Sequence, residues 1–162
     1  MCIRDRLNAK YEGANKDAVQ ALVDNAEGYA INVPAKEKEV VGIRIDANAR
    51  VANRFQFIVG EGAELEVQFY VTGAGEALTN VSYLNEYDVK EGGKVVVKKV
   101  NLLPEHVQHI EHRYTKLEDK ADVEYINIEL GGSENILNYY HDLVGQESRM
   151  VHDIAYLGNE EQ

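Results

Sequence analysis

His106, His109, Glu111 and His112 form an H-x-x-H-x-E-H run, the densest group of potential metal ligands in the chain. On a helix the three imidazoles would share one face. On a strand His106 and His112 point one way, while His109 and Glu111 point the other. Ile110 and Tyr114, followed by the Asp119–Lys120 turn, favour a strand, so these are read as ordinary strand histidines rather than a joint metal site. His141 and His152 are read as solvent-facing or hydrogen-bonded strand residues, not catalytic bases. Gly60-Glu61-Gly62 lacks the lysine of a phosphate loop, and its carboxylate would repel phosphate. No Gly-x-Ser-x-Gly nucleophile motif occurs. No residue is therefore assigned a catalytic, cofactor-binding or metal-binding role, and most of the acidic residues are read as a solvated face.

The remaining composition narrows the class of protein that carries these residues. The chain has 162 residues, 44% hydrophobic and 28% charged, with a formal net charge of -11. That is enough chain for one globular core, and the acidic balance argues against nucleic acid or an anionic membrane as partner. Cys2 is the only cysteine, so no intrachain disulfide forms and a reducing, cytoplasmic setting is expected. Residues 1–6 lack the apolar stretch of a signal peptide and read as a non-native scar. The expected organisation is that scar, a helix–strand lead-in over 7–33, and a single core over 34–162.

In the lead-in, Asn15 can cap a helix whose Val19, Leu22, Val23 and Ala26 form one apolar stripe, with Gly28 as its C-terminal glycine. Tyr29–Val33 reads as a strand stopped by Pro34. Beyond it, alternation replaces helical periodicity and the sequence repeats itself. Ala63, Gly93, Ala121 and Ser148 recur at intervals of roughly 28 residues, each followed at +2 and +4 by Leu65 and Val67, Val95 and Val97, Val123 and Tyr125, then Met150 and His152. A small residue at a corner followed by alternating apolar positions fits one side of a solenoid coil, whose inward side chains stack on those of the next coil. The rivals are leucine-rich repeats, whose leucine and asparagine positions are absent, and an antiparallel sandwich with hairpins at this interval.

Several stretches resemble the SufB/SufD family of iron–sulfur cluster assembly proteins. They are Ala21–Pro34, the strand Phe57–Val67 containing V-G-E-G-A, Thr79–Val81 followed by Tyr87–Val95, and Tyr125–Gly132, which ends in the double glycine. In the last stretch Asn127 is read as an outward polar position between Ile126 and Ile128. The resemblance covers roughly residues 18–158 and looks closer to SufD than to SufB. It implies an all-β, right-handed parallel β-helix that pairs with a sister SufB/SufD-type subunit and a SufC-type ATPase in the cytoplasm. Two departures stand out: Ser133-Glu134-Asn135 replaces the usual arginine after the double glycine, and the family's cluster ligands and ATPase-docking helices would lie beyond Gln162. The chain is thus expected to be a fragment truncated at both ends, with no cofactor of its own.

The leading expectation is a non-catalytic scaffold subunit acting through protein contacts. A carbohydrate-active β-helix such as a polyuronate lyase, or a purely structural β-solenoid, stands as the alternative. The lyase would need clustered acidic calcium ligands beside a basic residue, and no such cluster is found at coil spacing.

Overall fold

The computed structural model describes residues 17, 21, 24–48, 51–74, 76 and 80–158. Ten strands wind into a parallel β-solenoid: β1 (Glu27–Val33), β2 (Lys38–Asp46), β3 (Val51–Val59), β4 (Glu64–Thr72), β5 (Asn80–Val89), β6 (Lys94–Leu102), β7 (Gln108–Leu117), β8 (Asp122–Glu129), β9 (Glu134–Leu143) and β10 (Arg149–Tyr156). Odd strands form one five-stranded sheet and even strands the other, so each coil contributes one strand to each. We call the odd sheet A and the even sheet B.

The sequence repeat is the corner that leads from sheet A into sheet B. Glu64, Lys94, Asp122 and Arg149 stand in register, which places Ala63, Gly93, Ala121 and Ser148 one above another in adjacent coils. Each interval is one coil of two strands, and the antiparallel sandwich is excluded. One position of this corner takes a left-handed backbone in every coil, at Lys36, Gly62, Gly92, Lys120 and Glu147. Glycine serves two of the five at no steric cost. The corners are tied together by bonds from Lys36 N to Glu61 O, Gly62 N to Glu91 O, Gly92 N to Asp119 O and Lys120 N to Gln146 O, at 2.8–2.9 Å. The repeat therefore has an earlier copy at Lys36–Val41, hidden because Glu37 occupies its small-residue position.

Alternation decides what enters the lumen. Leu65, Val67, Val95, Val97, Val123 and Tyr125 are buried as the +2 and +4 rule requires. The first coils are filled by aromatics: Phe57 stacks on Tyr87 at 4.7 Å between ring centroids, and Phe55 and Phe57 meet Phe69 edge-on. Such pairs add about 0.5–1.5 kcal/mol each beyond the area they bury.

Two local expectations are corrected. Gly28 lies inside β1 without a left-handed backbone, so it does not cap a helix. Asp17, Ala21, Asp24 and Asn25 are helical, while Asn15, Val19, Leu22 and Val23 lie outside the described residues. Asn127 points into the lumen, not outward, because Val123 and Tyr125 fix the inward phase of β8 and Asn127 shares it. No helix among the described residues is long and apolar enough to cross a membrane.

Candidate functional site: a charged lumen

From β5 to β10 the lumen changes character. Inward positions carry Tyr83, Asn85 and Tyr87 on β5, Lys99 and Asn101 on β6, and His109, Glu111, Arg113 and Thr115 on β7, all buried. Asn127 and Glu129 follow on β8, and Tyr139, His141 and His152 line the last coil. Strand pairing brings them together, since Tyr83 registers with Glu111, Asn85 with Arg113, and Asn101 with Glu129.

Glu111 is the hub. Its carboxylate accepts from Arg113 Nη2 at 2.6 Å, Arg113 Nε at 3.1 Å and Asn85 Nδ2 at 3.0 Å. Lys99 Nζ forms ion pairs with both Glu111 and Glu129, and the three side chains are fully buried. Burial alone would raise the Glu111 pKa. The Arg113 and Lys99 charges outweigh that effect and hold its carboxyl well below the usual range. Burial likewise opposes the Arg113 charge, yet Glu111 keeps its pKa above the ordinary value. The Arg113 guanidinium lies between the rings of Tyr125 and Tyr139, 4.2 and 4.5 Å from their centroids. That sandwich supplies cation–π attraction where water is excluded. Two cations thus face two carboxylates in the interior.

His109 sits at one side of this cluster. Its Nε2 is 2.9 Å from the Tyr83 hydroxyl, and its Nδ1 is 2.9 Å from Asn135 Oδ1 and 3.9 Å from Glu129 Oε2. Burial, reinforced by Lys99, lowers its pKa, so the ring is held neutral. At the other side, burial and Arg113 pull His141 and His152 down to about 4. His152 Nε2 lies 3.3 Å from Asn127 Nδ2. Both rings face the lumen, so of the two expectations, solvent-facing or hydrogen-bonded, His152 meets the second; each shares a register row with an inward neighbour, Thr115 for His141 and Tyr125 for His152.

The H-x-x-H-x-E-H run is dispersed, with His109 and Glu111 inward, His112 buried on the outer face of sheet A, and His106 on the exposed turn before β7. Among the described residues no group of three or more His, Cys, Asp or Glu side chains is placed to hold a metal ion. Two cations hold the proton affinity of Glu111 down, which makes it a weak base near neutrality. The arrangement is instead a neutralised ionic cluster that sets the interior chemistry of the coils.

Lys99, Arg113 and Glu129 were not singled out from the sequence. Counting on from Gly93 in steps of two reaches Lys99 at +6, and from Ala121 it reaches Glu129 at +8. The parity that selected Leu65, Val95 and Val123 was the available signal.

A family model described as SUF system FeS cluster assembly, SufBD core domain, matches residues 43–162. No curated protein and no solved structure matches the chain. The matched segment begins within β2 and takes in every later strand together with the whole ionic cluster. This chain therefore belongs to the SufBD core-domain family of the SUF iron–sulfur cluster assembly system.

Proposed function

We propose that the chain is a non-catalytic scaffold subunit of the SUF assembly complex, nearer to SufD than to SufB, working in the cytoplasm through protein contacts with a sister SufB/SufD-type subunit and a SufC-type ATPase. The observation that carries this reading is the lumen itself: its ionisable groups neutralise one another, and none of the described residues that line it carries a thiol. Iron–sulfur clusters are cargo in this reading, and their thiolate or imidazole ligands come from outside the solenoid described above. The lyase alternative gains nothing from the structure, because Glu111 and Glu129 are bound to Lys99 and Arg113 and are not free to hold calcium. The test is co-expression of the tagged chain with a sister subunit and the ATPase, followed by affinity capture. Recovery of both partners in fixed ratio is expected. A chain that elutes alone, or that retains stoichiometric iron by itself after anaerobic reconstitution, overturns the reading.

A further inference from the structure

Tyr83 and His109 are both fully buried, and the Tyr83 hydroxyl lies 2.9 Å from His109 Nε2. The neighbours fix the direction of that bond. His109 Nδ1 is 2.9 Å from Asn135 Oδ1, an oxygen that can only accept, so Nδ1 carries the ring proton. Asn101 Nδ2 lies 3.2 Å from the same nitrogen, but its N–H groups serve Asn135 Oδ1 at 3.0 Å and Gly131 O at 3.2 Å. The Nε2 lone pair therefore accepts from the phenol. The nearest Glu111 oxygen is farther from that hydroxyl, at 3.5 Å, and two cations hold its proton affinity down.

The neighbouring lumen tyrosines are placed differently. Tyr125 meets the Thr115 hydroxyl, and Tyr139 meets the Asn127 amide and stands 3.4 Å from Glu111. The Tyr87 hydroxyl has no hydrogen-bond partner among the described residues. We propose that Tyr83 is a redox-active tyrosine, which gives one electron to a diffusible radical oxidant of the peroxyl class while its phenolic proton passes to His109 Nε2.

The O–H bond of Tyr83 breaks and an N–H bond forms on His109, leaving a neutral phenoxyl radical beside an imidazolium. The electron reduces the peroxyl radical to a hydroperoxide anion, which takes its proton from water. Proton and electron must leave the phenol together. Burial holds the phenol protonated, and an unsolvated radical cation would be costly in this interior. Transfer along a formed hydrogen bond avoids that state. Glu129 Oε2, 3.9 Å from Nδ1, faces the imidazolium that results. Glu111 adds to this attraction and Lys99 opposes it, but Lys99 is itself paired with both carboxylates.

A file of rings joins the pair to the surface at the first coil. Tyr29 is exposed and stacks on Phe55 at 5.5 Å between centroids. Phe55 meets Phe69 at 5.6 Å, and Phe69 stacks on Tyr83 at 6.3 Å. The oxidant therefore need not enter the lumen, since the electron can pass outward from ring to ring. Radicals on the exposed Tyr70 and Tyr156 can couple between molecules, whereas one enclosed at Tyr83 is kept from doing so.

Photo-oxidation of the full chain tests the proposal. A light flash on tris(bipyridine)ruthenium with a cobalt(III) acceptor supplies the oxidant, and electron paramagnetic resonance reads the frozen sample. Circular dichroism confirms the fold of each variant. A persistent tyrosyl signal is expected, lost in Tyr83→Phe and kept in Tyr87→Phe. Ring-fluorinated tyrosine placed at position 83 should add fluorine splitting to the signal, a reading that removes no side chain from the core. General-base assistance contributes about 10²–10⁴-fold, so His109→Gln should slow formation of the signal at least about 100-fold. Heavy water should slow it in the parent. No persistent signal in the parent, a signal that survives Tyr83→Phe or lacks the fluorine splitting, or one that forms as fast in His109→Gln overturns the proposal. None of these outcomes bears on the assembly role proposed above, which is read by capture of partners.

Discussion

Replacing Lys99 by methionine tests the ionic lumen most directly. Methionine keeps much of the side-chain volume and removes the ammonium. Glu111 would retain Arg113, whose Nη2 is 2.6 Å away. Among the described residues Glu129 would keep no cation: apart from Lys99, its only ion-pair neighbour there is the His109 ring at 3.9 Å, and that ring is held neutral. Breaking a buried pair from one side costs about 3–5 kcal/mol, because the remaining charge stays desolvated. Lys99→Met should therefore lose about that much at pH 7 in urea unfolding followed by circular dichroism. Adding Glu129→Gln removes the stranded carboxylate and should recover at least about 1.5 kcal/mol, a coupling in the range expected for touching residues. A loss below about 1 kcal/mol at pH 7, or a double variant no more stable than the single one, would refute the claim that these charges depend on one another.

Two further outcomes can be checked on the same protein. A Cβ at Gly131 would lie 2.1 Å from Leu103 O, whereas one at Gly42 meets nothing within 4 Å. Gly131→Ala should lower the melting temperature substantially, by more than about 2 kcal/mol of stability, and Gly42→Ala should leave it nearly unchanged. His141 and His152, pulled down to about 4 by burial and by Arg113, bind protons more weakly in the folded chain than in the unfolded one. Stability should then fall as pH drops from about 6.5, the unfolded histidine value, towards 4, and the His141→Gln, His152→Gln double variant should show a shallower slope in chemical denaturation at stepped pH.

The solenoid was legible because its corner repeats in kind as well as in spacing. Ala63, Gly93 and Ala121 are small and each precedes the same apolar alternation, so period and phase could be read together. The copy at Lys36–Val41 was not legible, since backbone geometry is retained there while Glu37 breaks the composition. The lumen was legible only in its apolar part. Lys99, Glu111, Arg113 and Glu129 belong by type to a protein surface, and a single sequence offers no sign that four of them cancel in the interior. Their parity placed them there, against the usual preference of charged residues for water. Asn127 fell to the same preference.

The division of the lumen into an aromatic part and an ionic part sets an order of assembly. Coils that meet through Phe55, Phe57 and Phe69 gain from contact as soon as two of them touch, without any particular partner atom. The middle coils have no such freedom. Lys99 arrives on β6, but its counter-charges arrive only with β7 and β8, one coil later, and Glu111 needs Asn85 from the coil before. A solenoid that opened between β6 and β7 would therefore take both counter-charges from Lys99 at once. The coupling between neighbouring coils that holds repeat proteins together therefore includes fully buried ion pairs here. The chain should open from its ends and hold together at its ionic middle.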